Sequence, residues 1–128
     1  MIIYQFDPVI YPYKVWVIID KKPNKIHEKF KEYSGKPIIF EDGSADRCEA
    51  FTMPVQSKGA DPYYGVILFF RSKRSMDYEL VAHESSHAAK YLFEHIGADC
   101  NIHEPFEFVV GWIAGCCEAV KNGKARNQ

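Results

Sequence analysis

The heptapeptide "YGVILFF" at Tyr64–Phe70 restricts the fold more than any other stretch of the chain. A strand sends successive side chains to opposite faces, and here both alternating sets are apolar. Such a strand is expected in the middle of a sheet, covered on both sides. A second strand is expected at Lys14–Ile19, "KVWVII", which is rich in β-branched and aromatic residues. Between them, "PNKIHEKFKEYSG" predicts a helix. Pro23 suits a first turn, Ile26, Phe30 and Tyr33 recur at helical spacing, and Gly35 is a stop. The following stretch, residues 36–65, is broken by Gly, Pro and Asp, and is expected to hold one or two short strands joined by turns.

Two helices are predicted in the C-terminal half. The first lies in "RSKRSMDYELVAHESSHAAKYLFEHIG", with Ser75 as N-cap, Asp77 and Glu79 in the first turn and Gly97 closing the end. Its core-facing set comprises Val81, Ala88, Leu92 and Ile96. The second has Pro105 in its first turn and runs to about Val120, before a basic tail, "KNGKARNQ", expected to fray. The order of elements implies an α+β domain, a small mixed β-sheet with helices packed against it, over residues 1–128 as one unit.

Composition narrows the function classes. The chain has a formal net charge of −1 and no basic stripe of the kind nucleic-acid binding needs. Its longest apolar run near the end, "PFEFVVGWIAGCCEAV", carries Glu107 and Glu118 and is too short to span a bilayer. The N-terminus, "MIIYQFDPVIYPYKVW", does not resemble a signal peptide. The cysteines, Cys48, Cys100, Cys116 and Cys117, form no CxxC pair, which disfavours a disulfide framework or a four-cysteine zinc site. A soluble, reduced, cytoplasmic protein is expected.

The chemistry-bearing stretch is "HESSH" at residues 83–87. On a helix, residues four apart stack one turn apart on one face, so His83 and His87 can reach one zinc ion at about 2.0–2.1 Å each. The intervening Glu84 is turned about 100° away, too far for easy ligation but within reach of a water on the metal. Shuffling the composition produces such a pattern in roughly one or two chains per hundred, so the five letters alone are also compatible with a plain amphipathic helix. A zinc that activates water takes three protein ligands and leaves one position open. The candidates for the third are Glu104, at the head of the last helix, and Glu107, one turn later. A helical wheel gathers Glu104, Glu107, Gly111, Ala114, Gly115 and Glu118 into one stripe, which would let this helix approach the "HESSH" helix closely. Helix–helix packing alone would account for the same stripe.

"VAHESSHAA" followed by a loop and "HEPFEFVVGWIAG" resembles the gluzincin pattern, in which HExxH is followed at a distance by a glutamate ligand on a second helix. More narrowly, the chain resembles small phage-encoded metallopeptidase-like proteins, a likeness that includes the "YKVWVII" and "GVILFF" strands. The resemblance implies a minimal zincin-like fold whose C-terminal helix bears a ligand. It also implies a Zn²⁺ held by His83, His87 and Glu104, and Glu84 as the catalytic base. Glu107 stands where that group tends to have a small residue, so the choice between Glu104 and Glu107 stays open.

The expected function is a zinc-dependent hydrolase, a peptidase acting on a peptide or protein substrate. In it, Glu84 takes the proton of a water as that water attacks a carbonyl. The alternative is a catalytically silent binding or structural protein of the same shape. Tyr91, His95 and His103 are candidates to donate to a developing oxyanion, and Asp99 to orient a ligating imidazole. Each also has a structural reading: a half-buried aromatic, surface or loop histidines, a turn residue. Cys100 is a possible soft ligand or an inert thiol. The basic loop Arg71–Ser75 is either a solvated loop or an attractor of acidic substrates.

Overall fold

A computed structural model describes residues 1–40 and 47–125. Five strands, β1 (Ile2–Phe6), β2 (Lys14–Ile19), β3 (Phe30–Lys31), β4 (Ala50–Ser57) and β5 (Tyr64–Phe70), form one sheet. Two helices, α1 (Tyr78–Ile96) and α2 (His103–Lys121), follow. The strand order is β1-β2-β5-β4-β3, with β2 and β5 parallel and the other neighbours antiparallel. The expected α+β class and mixed sheet are therefore present. Among the described residues no helix is long and apolar enough to cross a membrane.

β5 is central, as its two apolar faces require. Val66, Leu68 and Phe70 point into a core shared with α1 and α2, together with Val15 and Val17 of β2. Ile67 and Phe69 point the other way, into a second core with Trp16, Ile18 and Val55. Among the described residues that second face has no α-helix. It is covered by the β2–β4 connection, through Ile26, Phe30 and Ile38. Gln56 tethers this connection, its buried amide donating to the carbonyls of Glu32 and Tyr33 at 3.2 and 3.0 Å.

The covering segment corrects one expectation. Residues 23–35 form a short 3₁₀ turn at Ile26–Glu28 and the two-residue β3, not a helix. A helix would put Ile26, Phe30 and Tyr33 on one side. Here Ile26 and Phe30 fill the second core, while the Tyr33 hydroxyl donates to the Tyr13 hydroxyl at 2.6 Å, against the other core. Burial on two sides of a sheet overrides the local period. β1 was not anticipated. It pairs along its length with β2, and Trp16 Nε1 donates to Gln5 Oε1 at 3.0 Å. Pro54 sits inside β4 without harm because, among the described residues, β3 pairs only with Gln56 and Ser57 and no strand pairs with Pro54 on that side.

α1 begins later than expected. Asp77, not Ser75, is the N-cap, accepting from Leu80 N at 2.8 Å, and Ser75 belongs to a preceding 3₁₀ turn. Gly97 ends the helix at φ 72°, as expected of a left-handed C-cap. α2 returns antiparallel to α1. The rings of Phe93 and Phe106 meet at 5.5 Å near one end, and Lys121 Nζ lies 5.8 Å from the Tyr78 ring near the other. The end of the tail expected to fray, residues 126–128, lies outside the described residues.

Gly65 marks the tightest approach. A Cβ there would lie 2.3 Å from the Lys14 carbonyl oxygen and 2.5 Å from the Trp16 ring. Because backbone cannot yield as a side chain can, Gly65→Ala is expected to lower stability by about 1–3 kcal/mol. Urea denaturation checks this, and a loss under about 0.5 kcal/mol would mean that β2 and β5 are not this close.

Candidate metal centre

α1 lies on the sheet with Ala88, Leu92 and Phe93 in the core. The expected core residues Val81 and Ile96 are half-buried at its margin. This orientation sets the three motif residues apart. His83 and His87 are exposed, whereas Glu84 is 5 % exposed and turned toward β4. Thr52 Oγ1 donates to Glu84 Oε1 at 3.0 Å and lies 3.3 Å from the Glu84 carbonyl oxygen.

The two imidazoles converge. Nε2 of His87 lies 3.2 Å from Nε2 of His83. Two ligands at about 2.0–2.1 Å on a tetrahedral zinc stand about 3.3 Å apart, so the spacing suits a shared metal. Nitrogens at this separation either share a proton or share a cation. Among the described residues the carboxylate grouped with them is that of Glu84, and the potential ligand atoms of His83, Glu84 and His87 all lie within 4.8 Å of one another. A buried carboxylate is costly unless a cation or several donors compensate it. Among the described residues the ion pairs lie elsewhere, Asp20 with the N-terminus, Asp7 with Lys14 and His103 with Glu107, and the Glu84 carboxylate accepts from Thr52. A cation between the imidazoles would lie beside that carboxylate. Two imidazoles are donors that suit zinc and similar divalent transition metals, with the Glu84 carboxylate beside them.

Glu104 does not join this group. The stripe of Glu104, Glu107, Gly111, Gly115 and Glu118 is exposed, and α2 buries the opposite side, Val109, Ile113, Cys116, Cys117 and Val120. A Cβ built on Gly111 or Gly115 would meet nothing within 4 Å. The expected close approach of this stripe to α1 is thus corrected, since the bulkier apolar set claims the core. The Phe93–Phe106 contact also places the first turn of α2 beside the last turn of α1, about 9 Å along the axis from His87 at 1.5 Å per residue. Glu107 instead pairs with His103, at 3.8 Å.

The remaining candidates are placed as follows. His95 packs among the rings of Tyr13, Tyr64 and Tyr33, at 4.8, 5.3 and 5.7 Å. Burial holds the Tyr13 phenol far above its ordinary range and pushes Tyr33 up to about 12. Neither is a ready acid at neutral pH. Tyr91 is half-buried against the helix-side core. Asp99 serves a turn, accepting from Asn101 N at 2.8 Å. Cys100 is a free thiol packed at the core margin. Burial pushes Cys116 and Cys117 up to about 12, so neither supplies a thiolate. Sequence reasoning missed Thr52. No local signal marks it, because its partner arrives from an element 32 residues away.

Comparison of the chain with protein-family models, curated proteins and solved structures found no match in any of the three.

Thr52 is the hydrogen-bond donor to a buried carboxylate, so Thr52→Val is expected to cost about 1–3 kcal/mol of stability. Thermal and urea unfolding measure it. Wild-type stability in the variant would mean that Glu84 is not held against β4.

Proposed function

We propose that His83 and His87 bind a divalent transition metal, Zn²⁺ in the first instance, and that the protein is a metal-dependent hydrolase acting on peptide bonds. The carrying observation is the 3.2 Å convergence of the two Nε2 atoms beside the buried carboxylate of Glu84. Zinc in such a site supplies Lewis acidity, lowering the pKa of a coordinated water toward ~7 and polarising a carbonyl. Glu84 takes up the proton of the attacking water, with Thr52 holding its Oε1 and so fixing the direction of the other oxygen. Among the described residues β3 pairs with β4 only at Gln56 and Ser57, and in this reading the edge near Thr52 receives an extended peptide. In this reading α1 beneath a mixed sheet is a minimal zincin-like arrangement, with two histidines rather than three protein ligands. The second reading, a binding protein without catalysis, is favoured by the outward face of α2, described below.

Metal-free protein titrated with zinc by calorimetry is expected to bind one ion per chain. His83→Ala and His87→Ala should each weaken binding by at least about tenfold, and Glu104→Gln should change it by less than about twofold. Glu84→Gln should keep zinc binding and lower cleavage of a peptide library, read by mass spectrometry, by about 10²–10⁴-fold. Zinc binding that survives both histidine substitutions would refute the site. Cleavage unchanged in Glu84→Gln would refute the assigned base.

A further inference from the structure

The solvent face of α2 is a single continuous strip. One hollow, about 480 Å³, lies between the two helices, with Val81 and Ala82 of α1 on one wall and Gly111, Ala114 and Gly115 on the other. A second shares Gly111 with it and continues over Phe108 and Trp112 to Glu104 and Glu107. A third shares Phe108 and Trp112 and reaches Ile10 and Tyr11 of the β1–β2 loop. Large apolar side chains stand exposed along it. Phe108 is 74 % exposed, Trp112 37 %, and Ile10 78 %. Its floor is low, because the glycines have open space where a Cβ would stand. Glu104 and Glu107 stand near one end, and Asp77 and Glu118 near the other, where Lys121 also lines the hollow with its Nζ over the Tyr78 ring, so both ends stay net acidic.

We infer that this strip is a docking surface for a basic amphipathic helix of another protein. A low floor of small residues lets a helix axis approach closely, and the apolar side chains beside it take the apolar face of that helix. Glu104 and Glu118 are 14 positions apart, about 21 Å along the axis, so a partner of about four turns with lysine or arginine near both ends matches the charges. A second copy of this chain matches them poorly. Antiparallel pairing of two α2 helices about Gly111 sets Glu104, seven residues before it, against Glu118, seven residues after it. Like charges then meet at both ends of the interface. An anionic membrane surface would be repelled by the same carboxylates. The strip is separate from the candidate metal centre, because Ala82 faces the hollow while Glu84, on the other side of His83, faces β4. The inference does not depend on metal binding.

The probe is an 18-residue helical peptide with leucine and alanine on one face and lysines flanking it, compared with the same peptide carrying glutamates for lysines. Trp16 is 3 % exposed, so acrylamide quenching reports mainly Trp112. The lysine peptide is expected to protect Trp112, with binding weakened at least about tenfold between low and roughly 0.5 M salt. Gly111→Leu, which fills open space and leaves the core intact, should weaken binding at least about tenfold, as should the triple change E104Q/E107Q/E118Q. His83→Ala should leave it unchanged. No protection, equal binding of the glutamate peptide, or equal binding by either variant would overturn the proposal. So would a dimer in sedimentation that Gly111→Leu dissolves, or protection of Trp112 by anionic vesicles instead of the peptide.

Discussion

The burial of β5 on both faces is the constraint on which the rest of the molecule depends. Five consecutive side chains, Val66 to Phe70, are fully buried, alternately toward the helices and toward the β2–β4 connection. Each contributes about 1.5–3 kcal/mol when removed from water. That stabilisation requires two covers. The helices form one. The other is an irregular segment that cannot be a helix, since it must send Ile26 and Phe30 to one side of the sheet and Tyr33 to the other. Gly65 permits the parallel β2 to come close enough to complete the arrangement.

The placement of α1 follows from the same burial and sets the chemistry. With Ala88, Leu92 and Phe93 against the sheet, Glu84 is carried inward to Thr52, while His83 and His87 stay in solvent with their Nε2 atoms 3.2 Å apart. Burying a carboxylate costs several kcal/mol without compensation, a sum the surrounding core can bear but does not need to. An isosteric apolar residue there would be cheaper for folding alone. The glutamate therefore stands beside two converging imidazoles at a cost to folding, and the proposed chemistry is what would use it there.

Much of this was legible in the sequence. Apolar residues on both faces of "YGVILFF" placed β5, the turn of 100° per residue separated Glu84 from the histidines, and Gly97 and Pro105 bounded the two helices. Where local pattern was ambiguous, tertiary burial decided. Ile26, Phe30 and Tyr33 have helical spacing but serve two cores. The stripe of Glu104, Gly111, Ala114 and Gly115 was legible as a stripe, but glycine signals neither inside nor outside, and the larger set of Val109, Ile113, Cys117 and Val120 took the core. Thr52 and its carboxylate partner come together only through the contact of β4 with α1, which no spacing encodes.

On the proposed reading, two histidines of α1, and not a carboxylate of α2, hold a metal beside Glu84. Anomalous diffraction at the zinc edge from crystals of zinc-loaded protein decides this. One peak is expected, with both Nε2 atoms at about 2.0–2.1 Å, Glu84 still against Thr52, and Glu104 remaining on the solvent face of α2. A peak ligated by Glu104 or a cysteine, or no peak between His83 and His87 at saturating zinc, would contradict it.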